Sequence, residues 1–394
     1  MEMEQLIVNI GSSSKKYAVY RGEAQVFACH FEHENGGFIA SVVHEGGVEH
    51  EQVAAEVYER AVVHFLELYK KYYSDKSIEV IGIRVVAPGE FFQKHRSIDD
   101  EYLERLHKAK ILAPIHIAAT LKEITLLKEV FPSTKLVAAS DSAFHAGMPK
   151  TARSYGLPSS LVNEYDIQRF GYHGLSIAST VKSLGEYLGG TLPEKTLVLH
   201  LGSGCSITAL RNGQTADTSM GFTPLEGLLM STRSGSFDPA IVLALLEEGK
   251  TKDEIERIVN KQSGLLGVSG NTPDMREIIA RAQGGDDNAQ HAINVFVYQI
   301  VKHIGAYMTV LGGVDAIAFT GTIGERSFII REKIIEELRH LAFYVHQENN
   351  NKVNGSAPGI FEVSSEGSTC RIFVVPANES RSILEAMASV GVDG

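Results

Sequence analysis

Leu197–Leu210, LVLHLGSGCSITAL, is the stretch on which the fold reading turns. An apolar run leads into His200, then Gly202-Ser203-Gly204, then an alternating segment that ends at an Asn212-Gly213 turn. The pattern predicts strand, tight glycine loop, strand. Leu6–Tyr20, LIVNIGSSSKKYAVY, repeats the design. Laid over one another, Asn9 meets His200, Gly11 meets Gly202 and Ser12 meets Ser203. Two unrelated Gly-Ser hairpins would give the same local pattern. A pair of such units about 190 residues apart favours two related domains that face one polyphosphate.

The bulk composition agrees with two ordinary globular domains. A chain of 394 residues exceeds what one core usually holds. Hydrophobic residues make up 44% and charged residues 22%, so no large part reads as disordered. A net charge of −11 argues against non-specific nucleic-acid binding, although local Arg and Lys clusters still suit anionic substrates. No apolar run has the length of a membrane span, and the acidic Met1–Glu4 start does not read as a signal peptide. Cys29, Cys205 and Cys370 are scattered, which fits a reducing cytoplasm and gives no metal-site spacing. Cys205 reads as a small buried filler rather than a reactive thiol.

Taken in order, Leu6–Ile10 and Lys15–Tyr20 form a hairpin, and Gln25–Glu32 is a third strand. Glu51–Tyr73 has apolar residues at helical spacing and predicts one amphipathic helix. Ile78–Val86 is a β-branched strand carrying Arg84, and Lys135–Ser140 is a strand with Asp141 at its end. Helices at Asp99–Ala109 and Ile117–Val130 lie between these strands, an α/β arrangement. In the second half, Ser176–Leu188 and Asn288–Val310 read as helices, and Asp217–Pro239 as a long loop that is either functional or a misassigned element. A strand ending at Thr320 runs into a third glycine turn, Gly321–Gly324. Arg371–Val375 is a strand, followed by Pro376-Ala377-Asn378-Glu379 and a last helix.

Glycine turns present backbone N–H groups to anionic oxygens. The chain has no GxxxxGK[ST] motif, and its glycines do not form the Rossmann fingerprint. Phosphoryl transfer also needs cations for the moving charge and a carboxylate for Mg²⁺. Arg84 and Arg233 suit the first need, and Asp141 and Glu379 the second. Arg84 as a structural ion pair, and the two acids as helix N-caps, are the simpler alternatives. His173 and His200 adjoin glycine loops and are candidates for phosphate contact.

These residues carry a resemblance that runs along nearly the whole chain. NIGSSSKK (Asn9–Lys16), RVV (Arg84–Val86), LAPIH (Leu112–His116), RFGYHG (Arg169–Gly174), DTSMGFTPLEGL (Asp217–Leu228) and PANE (Pro376–Glu379) resemble the motifs of the acetate kinase family, a group that includes propionate and butyrate kinases. The resemblance implies an α/β fold of two duplicated actin-like (ribonuclease H-like) domains around a central cleft. It implies an N-terminal domain of residues 1–145 completed by 380–394, and a C-terminal domain of 146–379 that forms a homodimer. The implied activity is reversible, Mg²⁺-dependent in-line transfer from ATP to a short-chain carboxylate, acetate first, giving acyl phosphate and ADP. Mn²⁺ is an alternative ion, and a cytoplasmic enzyme with no nucleic-acid or membrane partner is expected.

Carried residue by residue, the resemblance makes Arg84, Asp141, His173 and Arg233 catalytic. Arg84, Val86, Ile115, Tyr172 and Pro224 bind the carboxylate. Asn9, Ser12, Ser14, Lys16, His200, Gly202, Ser203 and Gly204 bind phosphates, and Asp274, Met275, Arg276, Ile323 and Gly324 line the adenosine side. Asn9, Asp141 and Glu379 belong to the metal. The chain departs from the family pattern at several of these places. Ser203 stands where HLGNG has Asn, Ala87-Pro88 follow Val86 where HRVVHGG has His-Gly, and Thr322 and Arg326 flank Ile323-Gly324. Apolar replacements near the acyl pocket suggest an enlarged or drier pocket for propionate or butyrate. A pyrophosphate donor and, more remotely, an actin/Hsp70-like ATPase switch are the other readings.

Overall fold

The computed structural model describes residues 3–11, 14–34, 37–73, 77–355 and 358–391, without the side chains of 34, 115 and 116. The chain divides into two compact units, Met1–Ala143 with Glu379–Gly394, and Phe144–Asn378.

The first unit is built on eight strands: β1 (Glu4–Ile10), β2 (Ser14–Arg21), β3 (Ala24–Glu34), β4 (Gly37–His44), β5 (Gly47–Val53), β6 (Ile78–Val85), β7 (Arg96–Ser97) and β8 (Lys135–Ser140). Their order is β5-β4-β3-β2-β1-β6-β8-β7. β1 to β5 form an antiparallel meander, whereas β1, β6 and β8 run parallel. Helix Ala61–Tyr72 buries Ala61, Val62, Phe65 and Tyr69, the spacing of one helical face. Phe65 stacks on Tyr17 of β2 with ring centroids 5.3 Å apart, and Tyr69 meets Phe27 of β3 at 5.6 Å. Helix Pro114–Val130 opens on a proline, whose fixed φ suits the first helical position.

The single helix expected over Glu51–Tyr73 is not there. Residues 47–53 are an edge strand, and two short helices follow at Ala55–Glu59 and Ala61–Tyr72. GVEHEQV is exposed almost throughout, so it carries no period-2 alternation to mark it as a strand. β4 was likewise absent from the expected elements.

Helix Glu379–Ser389 returns to the first unit and lies against β6. Gly82 on β6 permits this approach. A Cβ there would stand 2.7 Å from Ile383 Cγ2 and would also overlap Met387. This seating fixes Glu379, the first residue of the helix, near the C-terminal ends of β1 and β6.

The second unit has six strands: β9 (Lys195–Leu201), β10 (Cys205–Arg211), β11 (Gln214–Thr218), β12 (Ala316–Thr320), β13 (Phe361–Glu362) and β14 (Arg371–Val374). The order is β11-β10-β9-β12-β14-β13, with β9, β12 and β14 parallel. Five consecutive strands, β11-β10-β9-β12-β14, reproduce β3-β2-β1-β6-β8 in direction and connection. Both units therefore have the duplicated architecture of the actin-like α/β fold. Asn212 and Gly213 both have positive φ, 52° and 75°, as a two-residue hairpin turn requires. Helix Asp287–Leu311 is capped by Asp286, which accepts from Ala289 N–H at 3.1 Å, and ends at Gly312 with φ 70°. Among the described residues no helix is long and apolar enough to cross a membrane.

Candidate functional site

In the first unit the parallel register aligns the C-terminal ends of β1, β6 and β8, the edge at which open α/β sheets bind ligands. Asn9, Arg84 and Asp141 sit on that edge, and Glu379 joins them from its helix. Arg84 donates through Nη2 to Asp141 Oδ2 at 2.8 Å and through Nη1 to Asn9 Oδ1 at 3.4 Å. Its Nη1 lies 3.5 Å from Glu379 Oε2, which accepts from Asn9 Nδ2 at 2.6 Å. The Asp141 side chain is 1% exposed and that of Arg84 17%. Burial disfavours the charged guanidinium. The carboxylates of Asp141 and Glu379 more than offset this, so its pKa lies above the usual arginine range. Asp141 thus has the Arg84 guanidinium as a buried partner.

The glycine loop after β1 spans residues that lie partly outside the described set, Ser12 among them. Gly11 N–H donates back to Ser14 O at 2.8 Å. Lys16 pairs with Asn9 across the hairpin and is exposed. The neighbouring Lys15 is the buried one. It meets Glu123 at 3.3 Å, and Glu123 also accepts from Tyr17 Oη at 2.6 Å. Sequence reading passed over Lys15, because only the fold brings Glu123 to it. Val86 follows β6, and the side chain of Ile115 lies outside the described residues.

The second unit gathers the other predicted residues around its own glycine loop. Gly202 N–H donates to Gly204 O at 3.0 Å, closing the turn as Gly11 does in the first. A Cβ on Gly204 would stand 3.0 Å from His173 Nε2 and 3.7 Å from Arg233 Nη1. Glycine thus leaves the loop backbone, an imidazole and a guanidinium at one point, the donor set an anionic phosphoryl group requires. His173 has φ 59°, a left-handed conformation, and its Nδ1 lies 3.0 Å from Ser206 Oγ. His200 stands against it with ring centroids 4.1 Å apart, and its Nδ1 lies 2.8 Å from Ser176 Oγ. Arg233 donates to Pro224 O at 3.2 Å. Tyr172 Oη donates to Phe222 O at 2.7 Å, which ties Tyr172 to the segment carrying Pro224. Ser203 is exposed at the loop tip, and its carbonyl accepts from Ser231 N–H at 3.1 Å. Cys205 is fully buried and its thiol is pushed up to about 12 by burial, which makes it a filler.

Asp274, Met275 and Arg276 open helix Met275–Gln283. Asp274 caps it, accepting from Arg276 N–H at 2.8 Å, and pairs with the exposed Arg276 guanidinium. The expected turn at Ile323-Gly324 is instead helical, Gly321–Arg326. Two glycines concealed this helix, because its support comes from elsewhere. Glu325 Oε1 accepts from Gly321 N–H and Ala377 N–H, each at 2.9 Å. The carbonyls of Gly324 and Glu325 accept from Arg331 Nη1 at 2.8 and 3.0 Å. Thr322 N lies 3.8 Å from a Cβ built on Gly202, so this helix begins beside the glycine loop.

Two further groups, a half-buried ion pair and a buried histidine, support the loops. Arg169 pairs with Glu226 at 2.8 Å and bonds the carbonyls of Thr218 and Ser219. Tyr155 Oη also donates to Glu226. The carboxylate lies over Gly221, where a Cβ would collide with it. His145 is fully buried beneath the Tyr172–His173 backbone, and burial lowers its pKa to about 4. Between about pH 6.5 and 4 the unfolded chain binds a proton there that the folded chain refuses, so stability rises with pH across that window. The expected result is a loss of up to about 3 kcal/mol on acidification through it. A His145→Gln variant should have a flatter curve of unfolding free energy against pH. Identical slopes in the two proteins would contradict this.

The sequence pattern of the acetokinase family matches residues 4–385. The acetate kinase of Caldicellulosiruptor saccharolyticus is 37% identical over 393 residues, covering 96% of each chain. A solved propionate kinase from Francisella tularensis superposes with a TM-score of 0.89 at 33% identity, covering 98% of each chain. The acetate kinase of Porphyromonas gingivalis gives 0.85 at 31% identity, over 98% of this chain and 99% of its own. With this sequence match and this architecture, the chain belongs to the acetokinase family and is an acetate kinase-type carboxylate phosphotransferase.

Proposed function

We propose that the enzyme transfers the γ-phosphoryl group of ATP to a short-chain carboxylate, acetate first, in a direct and reversible step. The observation that carries this reading is the convergence of Gly204, His173 and Arg233 at one point. A carboxylate oxygen forms the new O–P bond while the bond to the ADP oxygen breaks. No general base is needed, since the nucleophile is ionised at neutral pH. Arg84 holds the carboxylate, Arg233 and His173 offset charge on the moving phosphoryl group, and the Gly202–Gly204 backbone receives phosphate oxygens. Catalysis then rests on alignment and electrostatics.

Asp141 and Glu379 fit Mg²⁺, which takes one or two carboxylates and completes its shell with water and substrate phosphates. The Asn9 amide oxygen adds a third hard donor. The ion would supply further charge neutralisation at the phosphates. The three cysteines are free and buried, which suits the cytoplasm.

A longer acyl group is the second reading. Ala87 is 2% exposed and Pro88 is buried, so the segment after Val86 is apolar and dry. A hydroxylamine trap for acyl phosphate, run with acetate, propionate and butyrate against ATP, GTP and pyrophosphate, separates these readings. Product with acetate and ATP supports the first. Equal or better turnover of butyrate supports the second. No product with any pair overturns both.

We also propose a homodimer formed through the second unit. Helix Ala240–Glu247, AIVLALLE, has no buried residue, and Ile241, Leu243 and Leu246 are 49%, 64% and 46% exposed. An apolar surface helix of this kind calls for a partner, here a second copy. Leu243→Glu is expected to shift the protein from dimer to monomer in sedimentation velocity. A wild-type monomer, or an undisturbed dimer in the variant, would rule this helix out.

A further inference from the structure

We propose that His145 is a positioning residue for phosphoryl transfer, its Nε2–H holding the Tyr172 carbonyl and so fixing His173 in the conformation that directs its imidazole at Gly204. The inference rests on the reading of His173 as a phosphoryl contact. His145 Nε2 lies 3.0 Å from Tyr172 O, and Nδ1 lies 3.1 Å from Thr215 Oγ1. A carbonyl only accepts, so Nε2 carries the proton and Nδ1 accepts from the Thr215 hydroxyl. The Tyr172 carbonyl thereby sets the tautomer, and the buried Thr215 hydroxyl, 3.5 Å from Phe144 O and 3.1 Å from Nδ1, satisfies the other ring nitrogen.

The backbone above the ring needs such a hold. Gly171 has φ 67° and His173 has φ 59°, so left-handed residues flank Tyr172 on both sides. A β-carbon side chain at φ 59° is strained and persists only where its surroundings over-determine it. Several contacts among the described residues do so. Phe170 N–H and Gly171 N–H both donate to Gly221 O, at 3.1 and 3.4 Å. Ser206 meets His173 Nδ1, and His145 takes the intervening carbonyl. Gly171 also rests directly on the imidazole, since a Cβ there would stand 2.7 Å from His145 Cδ2. The His145 bond is the one of these that acts directly on the carbonyl of the peptide unit joining Tyr172 to His173.

The test compares His145→Leu, His145→Gln and Thr215→Val with His173→Ala, measuring kcat, the KM of the carboxylate and the thermal midpoint. His145→Leu is expected to lower kcat about tenfold or more, with the carboxylate KM changed by no more than about twofold. His145→Gln keeps an N–H in place of Nε2–H and should recover most of the loss, and Thr215→Val should fall between. If His145→Leu does not fold, Thr215→Val carries the comparison. Wild-type kcat in Thr215→Val and in any folded His145→Leu, whatever the midpoint, overturns the proposal. If His173→Ala alone is slow, only the role of His145 fails. If His173→Ala also turns over normally, the reading beneath it fails.

Discussion

Arg233→Ala is expected to lower turnover about 10³-fold, the scale of a lost phosphoryl-stabilising arginine, while the protein stays folded. The guanidinium is half-buried, donates to the Pro224 carbonyl at 3.2 Å and lies beside Gly204 and His173. Its charge matters most when negative charge spreads over the moving group, so the loss should fall on kcat more than on KM. Arg233→Lys keeps the charge but not the planar fork and should recover only part of the rate. Arg84→Ala provides the contrast. It removes the cation from the buried Asp141 carboxylate, so it should impair folding as well as rate. Steady-state kinetics paired with denaturant unfolding tests the distinction. An Arg233→Ala enzyme within tenfold of the wild-type rate would refute the assigned role.

Arg331→Met should destabilise the second unit by about 4 kcal/mol. Arg331 is fully buried, and burial alone brings its pKa down to about 10. Its partners are oxygens of amides, not carboxylates. Nε donates to Asn350 Oδ1 at 2.7 Å, Nη1 to the carbonyls of Gly324 and Glu325, and Nη2 to those of Asn350 and Val353 at 3.0 and 2.6 Å. Met fills the volume and leaves five acceptors without their donor. Two of these carbonyls terminate helix Gly321–Arg326, which the family resemblance puts on the adenosine side, so on that reading the KM for nucleotide should rise along with the loss of stability. Arg331→Lys retains charge but has too few donors for five acceptors, and should lie between. An unchanged denaturation midpoint for the second unit would show that water replaces the guanidinium at little cost.

Much of this was legible along the chain. The two strand–glycine–strand units are short-range features, and their repetition pointed to two related domains, which five matching strands in each sheet bear out. Arg84 stood out because a charge on an apolar strand demands a partner, and Asp141 is that partner. What escaped were features decided at long range. β5 carries almost no buried residue, so its sequence has no pattern to read. Helix Gly321–Arg326 has two glycines in six residues, and its support comes from Glu325 and from Arg331. Lys15 gave no local sign of being buried, because Glu123 reaches it from a helix over 100 residues away. His145 carries no local signal of its role, because its partners Tyr172 and Thr215 lie 27 and 70 residues along the chain.

The return of helix Glu379–Ser389 to the first unit has a consequence during synthesis. The ribosome makes all of Phe144–Asn378 before this helix exists, roughly 10 to 50 s at bacterial or eukaryotic rates of elongation. For that interval the face of β6 around Gly82 has no helix on it, and Arg84 and Asp141 await Glu379. The nascent first unit therefore exposes a sticky apolar surface for as long as the second unit takes to translate. Its half of the site is completed only after the second unit has been made.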